Sequence, residues 1–269
     1  MTLSIPAQYY QQFDADFSLD VPGEGYGGWK TTELEIALDR TAVVVMHAWD
    51  CGTREEFPGW HRAVEYIPLA DAVLRDVFPP LLEAVRRSPL PIFHVAAEAQ
   101  KHKQLPGYLK TLEISGEPPG VLPAIEADDS LRALRQFRHD HVFPGAHNAA
   151  DIARGVPRDF APQARPQEDE LIAETSEQLF AICQHTGVNH LIYAGFAIDG
   201  CLLMSPGGMM DMSRYGVMCS ALREAVVAIE NKETARTQLA KEIGLWRVAL
   251  MFGFVFQTDE FINALAAAG

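Results

Sequence analysis

The chain has 269 residues, 48% hydrophobic and 9% aromatic, enough to bury a sizeable core. Its formal net charge of −14 argues against nucleic acid or an anionic membrane as the main partner, because phosphates need cationic partners. No run of about 18 apolar residues occurs, which excludes an apolar membrane-spanning helix.

Residues 1–40 read as an N-terminal arm. Its opening, MTLSIPAQYYQQFDADF, has no basic segment followed by an apolar one, so a cytoplasmic protein is expected. The arm holds Pro22 and a glycine cluster, Gly23, Gly25, Gly27 and Gly28, around Tyr26 and Trp29. Those aromatics are expected to dock it on the body or on a neighbouring subunit. Residues 42–47, Ala42 to His47, form an unbroken apolar run of the kind found in strands buried on both faces. A loop rich in Gly, Pro and charge follows. Residues 69–87 then place Leu69, Val73, Leu74, Val77, Leu81, Leu82 and Val85 at helical spacing. Residues 91–97 are a second buried strand, and the β–α–β order implies a right-handed crossover.

Residues 98–168 are less regular and hold many of the prolines, with His102, His139, His141 and His147. So long a segment in a single 1–269 domain reads as an insertion acting as a lid or an oligomer contact, with one helix near 128–138. Regularity returns in a short strand at 170–173. Thr175 and Gln178 make a capping-box pattern, and a helix runs to Gly187. Residues 190–195 are another buried strand. A helix is expected from Phe196 to about Arg214, with Ser205 capping Pro206. A strand at 217–220, a helix at about 234–250, a strand at 252–256 and a final helix capped by Thr258 complete the chain. The alternation predicts an α/β protein: an open, doubly wound, mostly parallel sheet of about six strands flanked by helices in three layers.

In open α/β sheets the site lies beyond the C-terminal ends of the strands. Position therefore selects His47, Glu98, Glu174 and Cys201 as residues facing one crevice. The other thiols, Cys51, Cys183 and Cys219, make no C-x-x-C pair and no Cys/His zinc spacing with Cys201, so all four are expected to be reduced. A cysteine at a helix start meets unpaired N–H groups that favour thiolate and could hold an oxyanion. The plain alternative is a buried cysteine that packs the helix start.

Residues 195–202, Gly195-Phe196-Ala197-Ile198-Asp199-Gly200-Cys201-Leu202, resemble the nucleophile segment of the isochorismatase-like cysteine hydrolases, roughly G-V-x-T-D-x-C-V. Residues 42–47 resemble that family's first strand, A-L-L-V-I-D-M-Q. Residues 170–180 resemble its K-x-x-x-S-A-F segment, and 252–261 its last strand and helix start. The resemblance covers about 40–97 and 168–269. It implies a Cys201 nucleophile attacking an amide carbonyl, no cofactor, a small-molecule substrate and a homo-oligomer, dimer or tetramer. It further implies an oxyanion hole from the backbone of Ala197, Ile198 and Cys201, and a cis peptide bond placed by position at Ala197–Ile198.

Two positions depart from the family. His47 stands where the family has an aspartate, and Glu174 where it has a lysine. Asp50 could supply the missing carboxylate, and Arg165 or Lys101 the missing cation. Trp49, Asp50 and Glu98 are candidate substrate-site residues. Two readings stay open. In one, His47 is the general base on Cys201 and Glu174 orients it, so the chain hydrolyses a C–N bond. In the other, the fold persists in an inactive binding or assembly protein. No metal site is expected, because the insertion histidines lie outside the matched segments.

Overall fold

The computed structural model describes residues 1–96, 100–118, 123–155, 158–168 and 170–268. The strands are β1 (Thr2–Gln11), β2 (Gly28–Ala37), β3 (Thr41–Met46), β4 (Ile92–Val95), β5 (Leu171–Ala173), β6 (His190–Phe196), β7 (Met218–Val227) and β8 (Val255–Phe256). The helices between β3 and β4 are α1 (Pro58–Ala63), α2 (Ile67–Asp76) and α3 (Phe78–Arg86). The region between β4 and β5 contributes α4 (Pro106–Ser115), α5 (Asp129–His141) and α6 (Ala149–Gly155). The rest are α7 (Ser176–Thr186), α8 (Cys201–Met204), α9 (Met209–Arg214), α10 (Leu239–Met251) and α11 (Thr258–Ala268).

The strands form one sheet in the order β2-β1-β8-β7-β6-β3-β4-β5. Strands β3 to β8 pair in parallel, and β1 is antiparallel to both neighbours. The pleat splits β3 between two cores. Val43 and Val45 face one that includes Leu74, Phe78, Leu82 and Phe261 of α2, α3 and α11. Ala42, Val44 and Met46 face another that includes Leu179, Leu202, Met209 and Leu245 of α7 to α10. All six β3 residues are buried, and a fully buried valine contributes about 1.5–3 kcal/mol. The three-layer α/β expectation holds, with eight strands among the described residues rather than about six.

The added strands come from the arm. Residues 1–40 extend the sheet through the β1–β2 pair rather than docking on it. Leu3, Ile5 and Ala7 alternate into the core while Thr2 and Ser4 face solvent, a period-two signal that composition obscures. The helix expected at 69–87 is two, α2 and α3, meeting at Val77. Pro79 and Pro80 disfavour helical backbone in the residues before them and can donate no backbone bond.

The helix expected from Phe196 to Arg214 is also two. The chain leaves helix at Ser205, and Gly207 turns at φ +77°. The Tyr193 hydroxyl donates to Gly207 O at 2.8 Å, and Gly207 N–H donates to Ser176 Oγ at 2.8 Å, which pins the break. Gly208, not Ser205, then caps α9. The Thr175 cap holds: its Oγ1 accepts from Gln178 N–H at 3.2 Å, and Gly187 ends α7 at φ +75°. No helix among the described residues is long and apolar enough to cross a membrane.

Candidate active site

Two strand ends build the site. β3 delivers His47 one residue past its last paired position, where φ of +54° turns the chain off the sheet. β6 delivers the segment from Gly195 to Cys201. At Gly195 a Cβ would lie 1.9 Å from Met46 O, so only glycine lets β6 approach β3 this closely. Beyond it, Asp199 Oδ1 accepts from Ile229 N–H at 2.8 Å and ties the turn to the end of β7. The cis bond in this turn is Phe196–Ala197, one residue before the expected Ala197–Ile198. Phe196 is still paired with Val227, so the departure from the sheet starts there.

His47 and Cys201 line one cavity of about 180 Å³, walled by Trp49, Cys51, Trp60, Val64, Tyr66, Ile67, Ala70, Asp71, Arg158 and Phe196. His47 is buried and stacks on Trp49, ring centroids 5.9 Å apart. Burial, and secondly the positive charge of Arg158, lower its pKa to about 4. It is a neutral imidazole at pH 7. Its ring makes no side-chain hydrogen bond among the described residues.

Glu174 is not its partner. The register sets Met46 beside Val95 and Val95 beside Ala173, so Glu174 reaches the same level of the sheet as His47. It does so two strands away, about 10 Å across the sheet. Its carboxylate is engaged there: Tyr108 donates to it at 2.6 Å, and His102 Nε2 and Lys103 Nζ lie 2.8 and 3.4 Å away. Counting along strands placed the height correctly but could not give the lateral separation.

The expected oxyanion hole loses one member. Ile198 N–H already donates to Val227 O at 2.8 Å. The Ala197 and Cys201 N–H groups have no hydrogen-bond partner among the described residues. The helix behind Cys201 is a single turn of four residues, too short for the dipole expected of a long helix.

The other nominated residues divide. Trp49 lines the cavity and packs on Phe160, centroids 5.2 Å apart. Asp50 lies outside it, exposed, and its Oδ1 accepts from Gly52 N–H at 2.9 Å. Glu98 lies outside the described residues. Arg165 pairs with Asp159 at 2.9 Å, and Lys101 is exposed. Neither serves as the cation.

The cation in the cavity is Arg158, which the sequence did not single out. Its guanidinium stacks over Trp60, 3.2 Å from the ring centroid. Its Nε donates to Gly155 O at 3.0 Å and its Nη1 to Cys51 Sγ at 3.8 Å. Docking of the insertion on α1 sets this contact. Asp151 of α6 accepts from the N–H groups of Gly59 and Trp60 at 2.7 and 3.1 Å. Trp60 and Arg158 are 98 positions apart and share no motif, so nothing local marks them as partners.

All four cysteines are free thiols. Burial pushes Cys183 up to about 12 and raises Cys219 further. Burial also raises Cys51, partly offset by Arg158. Among the described residues no group of three or more His, Cys, Asp or Glu side chains is arranged to hold a metal ion.

No family model matches the sequence, and no curated protein matches it. Solved structures do resemble it. A cysteine hydrolase from Pseudomonas syringae pv. phaseolicola 1448A aligns with a TM-score of 0.50 at 15% identity, covering 87% of this chain and 96% of that one. An isochorismatase-like hydrolase from Alkaliphilus metalliredigens aligns with a TM-score of 0.50 at 16% identity, covering 85% and 98%. The likeness is one of fold, and it bears out the isochorismatase-like architecture expected from the order of the motifs.

Proposed function

We propose that the chain is a cysteine hydrolase that cleaves a C–N bond of a small amide through a covalent intermediate on Cys201. The observation supporting this is the one cavity that both Cys201 and a neutral His47 line. Being neutral at pH 7, His47 is free to accept a proton, though a pKa of about 4 makes it a weak base. The Cys201 thiol proton passes to His47 as Sγ bonds to the amide carbonyl carbon. The carbonyl oxygen takes the negative charge, facing the free N–H groups of Ala197 and Cys201. The C–N bond then breaks, and the proton on His47 leaves with the amine. Water, deprotonated by His47, releases the acid from the thioester and restores the thiol. Glu174 has no part in this scheme.

A second reading is an inactive binding protein on the same fold. It draws on the absence of an orienting hydrogen bond to the His47 ring among the described residues. Mass spectrometry separates the two. Incubation with small amides and activated esters should leave an acyl adduct on Cys201, and iodoacetamide at neutral pH should modify Cys201 before the other three thiols. Equal, slow labelling of all four, with no adduct, would sink the hydrolase reading.

A further inference from the structure

We infer that the cavity beside Cys201 selects substrates that carry a carboxylate, with Arg158 as the group that holds it. This deepens the hydrolase reading and rests on it for the reacting bond, but not for the binding.

The argument starts from an unbalanced charge. Taking a guanidinium out of water is costly unless an anion or a full set of acceptors replaces the solvent. The partly buried arginines elsewhere obey this. Arg86 pairs with Glu170 at 2.7 Å, and Arg223 with Glu242 at 2.8 Å. Arg158 is half-buried and has no carboxylate within ion-pair distance among the described residues. Its contacts are one carbonyl, one thiol sulfur and the face of Trp60. A guanidinium has five N–H donors, so three remain, including both on Nη2. Those three include one on each terminal nitrogen, the pair that grips a carboxylate through two parallel bonds.

A further feature suits an anion. The Trp60 face fixes the guanidinium plane, so little side-chain entropy is lost on binding. The opposing charge is Asp71, which lines the cavity but is exposed and makes no ion pair with Arg158. Its pKa is raised by burial first, lowered in part by His61 and raised again by Asp50.

Size and walls narrow the class. A cavity of about 180 Å³ is of the order that accepts one benzene-sized group. Val64, Ile67, Ala70 and Phe196 offer it apolar contact. The ligand is therefore a small carboxylic acid bearing a neutral amide, its carboxylate on Arg158 and its amide carbonyl toward Cys201.

The test compares matched pairs on the full chain: acetate with acetamide, benzoate with benzamide, succinamate with succinamide. Calorimetric titration of the Cys201→Ala variant measures binding without turnover. At least one carboxylate should bind ten times or more tightly than its amide partner. Arg158→Gln should abolish that preference, and Arg158→Lys should restore it only in part, because lysine keeps the charge without the fork. Equal binding within every pair, or a preference that survives Arg158→Gln in a folded variant, overturns the proposal. If Arg158→Gln fails to fold, the pairwise comparison in the Arg158 protein still decides. Carboxylate binding that depends on Arg158 without turnover would sustain this inference and end the hydrolase reading. Turnover of neutral amides, unchanged by Arg158→Gln, would do the reverse.

Discussion

His47 shows how one residue's chemistry is set by where its strand ends. In an exposed loop it would titrate near 6.5 and change charge in the working range. At the end of β3 it is buried beside Arg158, and both effects disfavour the imidazolium. NMR titration of the His47 ring should therefore give a midpoint near 4, and Arg158→Met should move it upward by removing one of the two causes. A wild-type midpoint near 6.5 would contradict the buried environment. That His47 sits at a strand end was legible, because the apolar run stops there. Its companion was not. Glu174 looked suitable by counting along its segment, yet Tyr108, His102 and Lys103 hold its carboxylate. Side-chain partners across a sheet depend on strand order, which counting along one chain does not supply.

At the scale of elements, the site depends on how β6 leaves the sheet. Gly195 lies against the Met46 carbonyl at φ +130°, where a side chain meets both a clash and a strained backbone. Gly195→Ala should lower stability by more than about 2 kcal/mol in urea unfolding and should alter the iodoacetamide reactivity of Cys201. Wild-type values for both would show that the β3–β6 contact does not position the cysteine. The elements legible in the sequence were those with a local cause. The β3 run, the Thr175 cap and the Gly187 stop each act within a few residues. Less legible was the break between α8 and α9, because Tyr193 and Ser176 secure Gly207 from two other elements.

For the whole molecule, buried histidines tie stability to pH. His47 and His190 have folded pKa values lowered to about 4 from an ordinary value near 6.5, in both cases chiefly by burial. Between those values the unfolded chain binds more protons, so stability rises with pH through this window. The contribution is complete above 6.5 and lost as pH falls through 4, up to about 3 kcal/mol for each group. Burial alone would raise Glu170, but hydrogen bonds from His94 and Arg86 hold it down to about 2, so its contribution is lost only in stronger acid. Tm should therefore fall steadily from pH 7 to pH 4. A flat profile across that range would mean that these histidines are solvated or already charged in the folded protein.

The sequence by itself determined the α/β class, the buried parallel strands, the strand ends where a site could lie, and the place of Cys201 just beyond one of them. Each follows from local periodicity, or from motifs whose order along the chain carries the information. Tertiary structure alone decided the company Cys201 keeps. It folded residues 1–40 into the sheet, sent Glu174 to Tyr108 and His102, used the Ile198 N–H on Val227, and brought Arg158 over Trp60 across 98 positions. The physical reason is common to all four. Hydrogen bonds and charge pairs act over a few ångströms in space, and which residues come that close is set by strand order and by how the insertion docks.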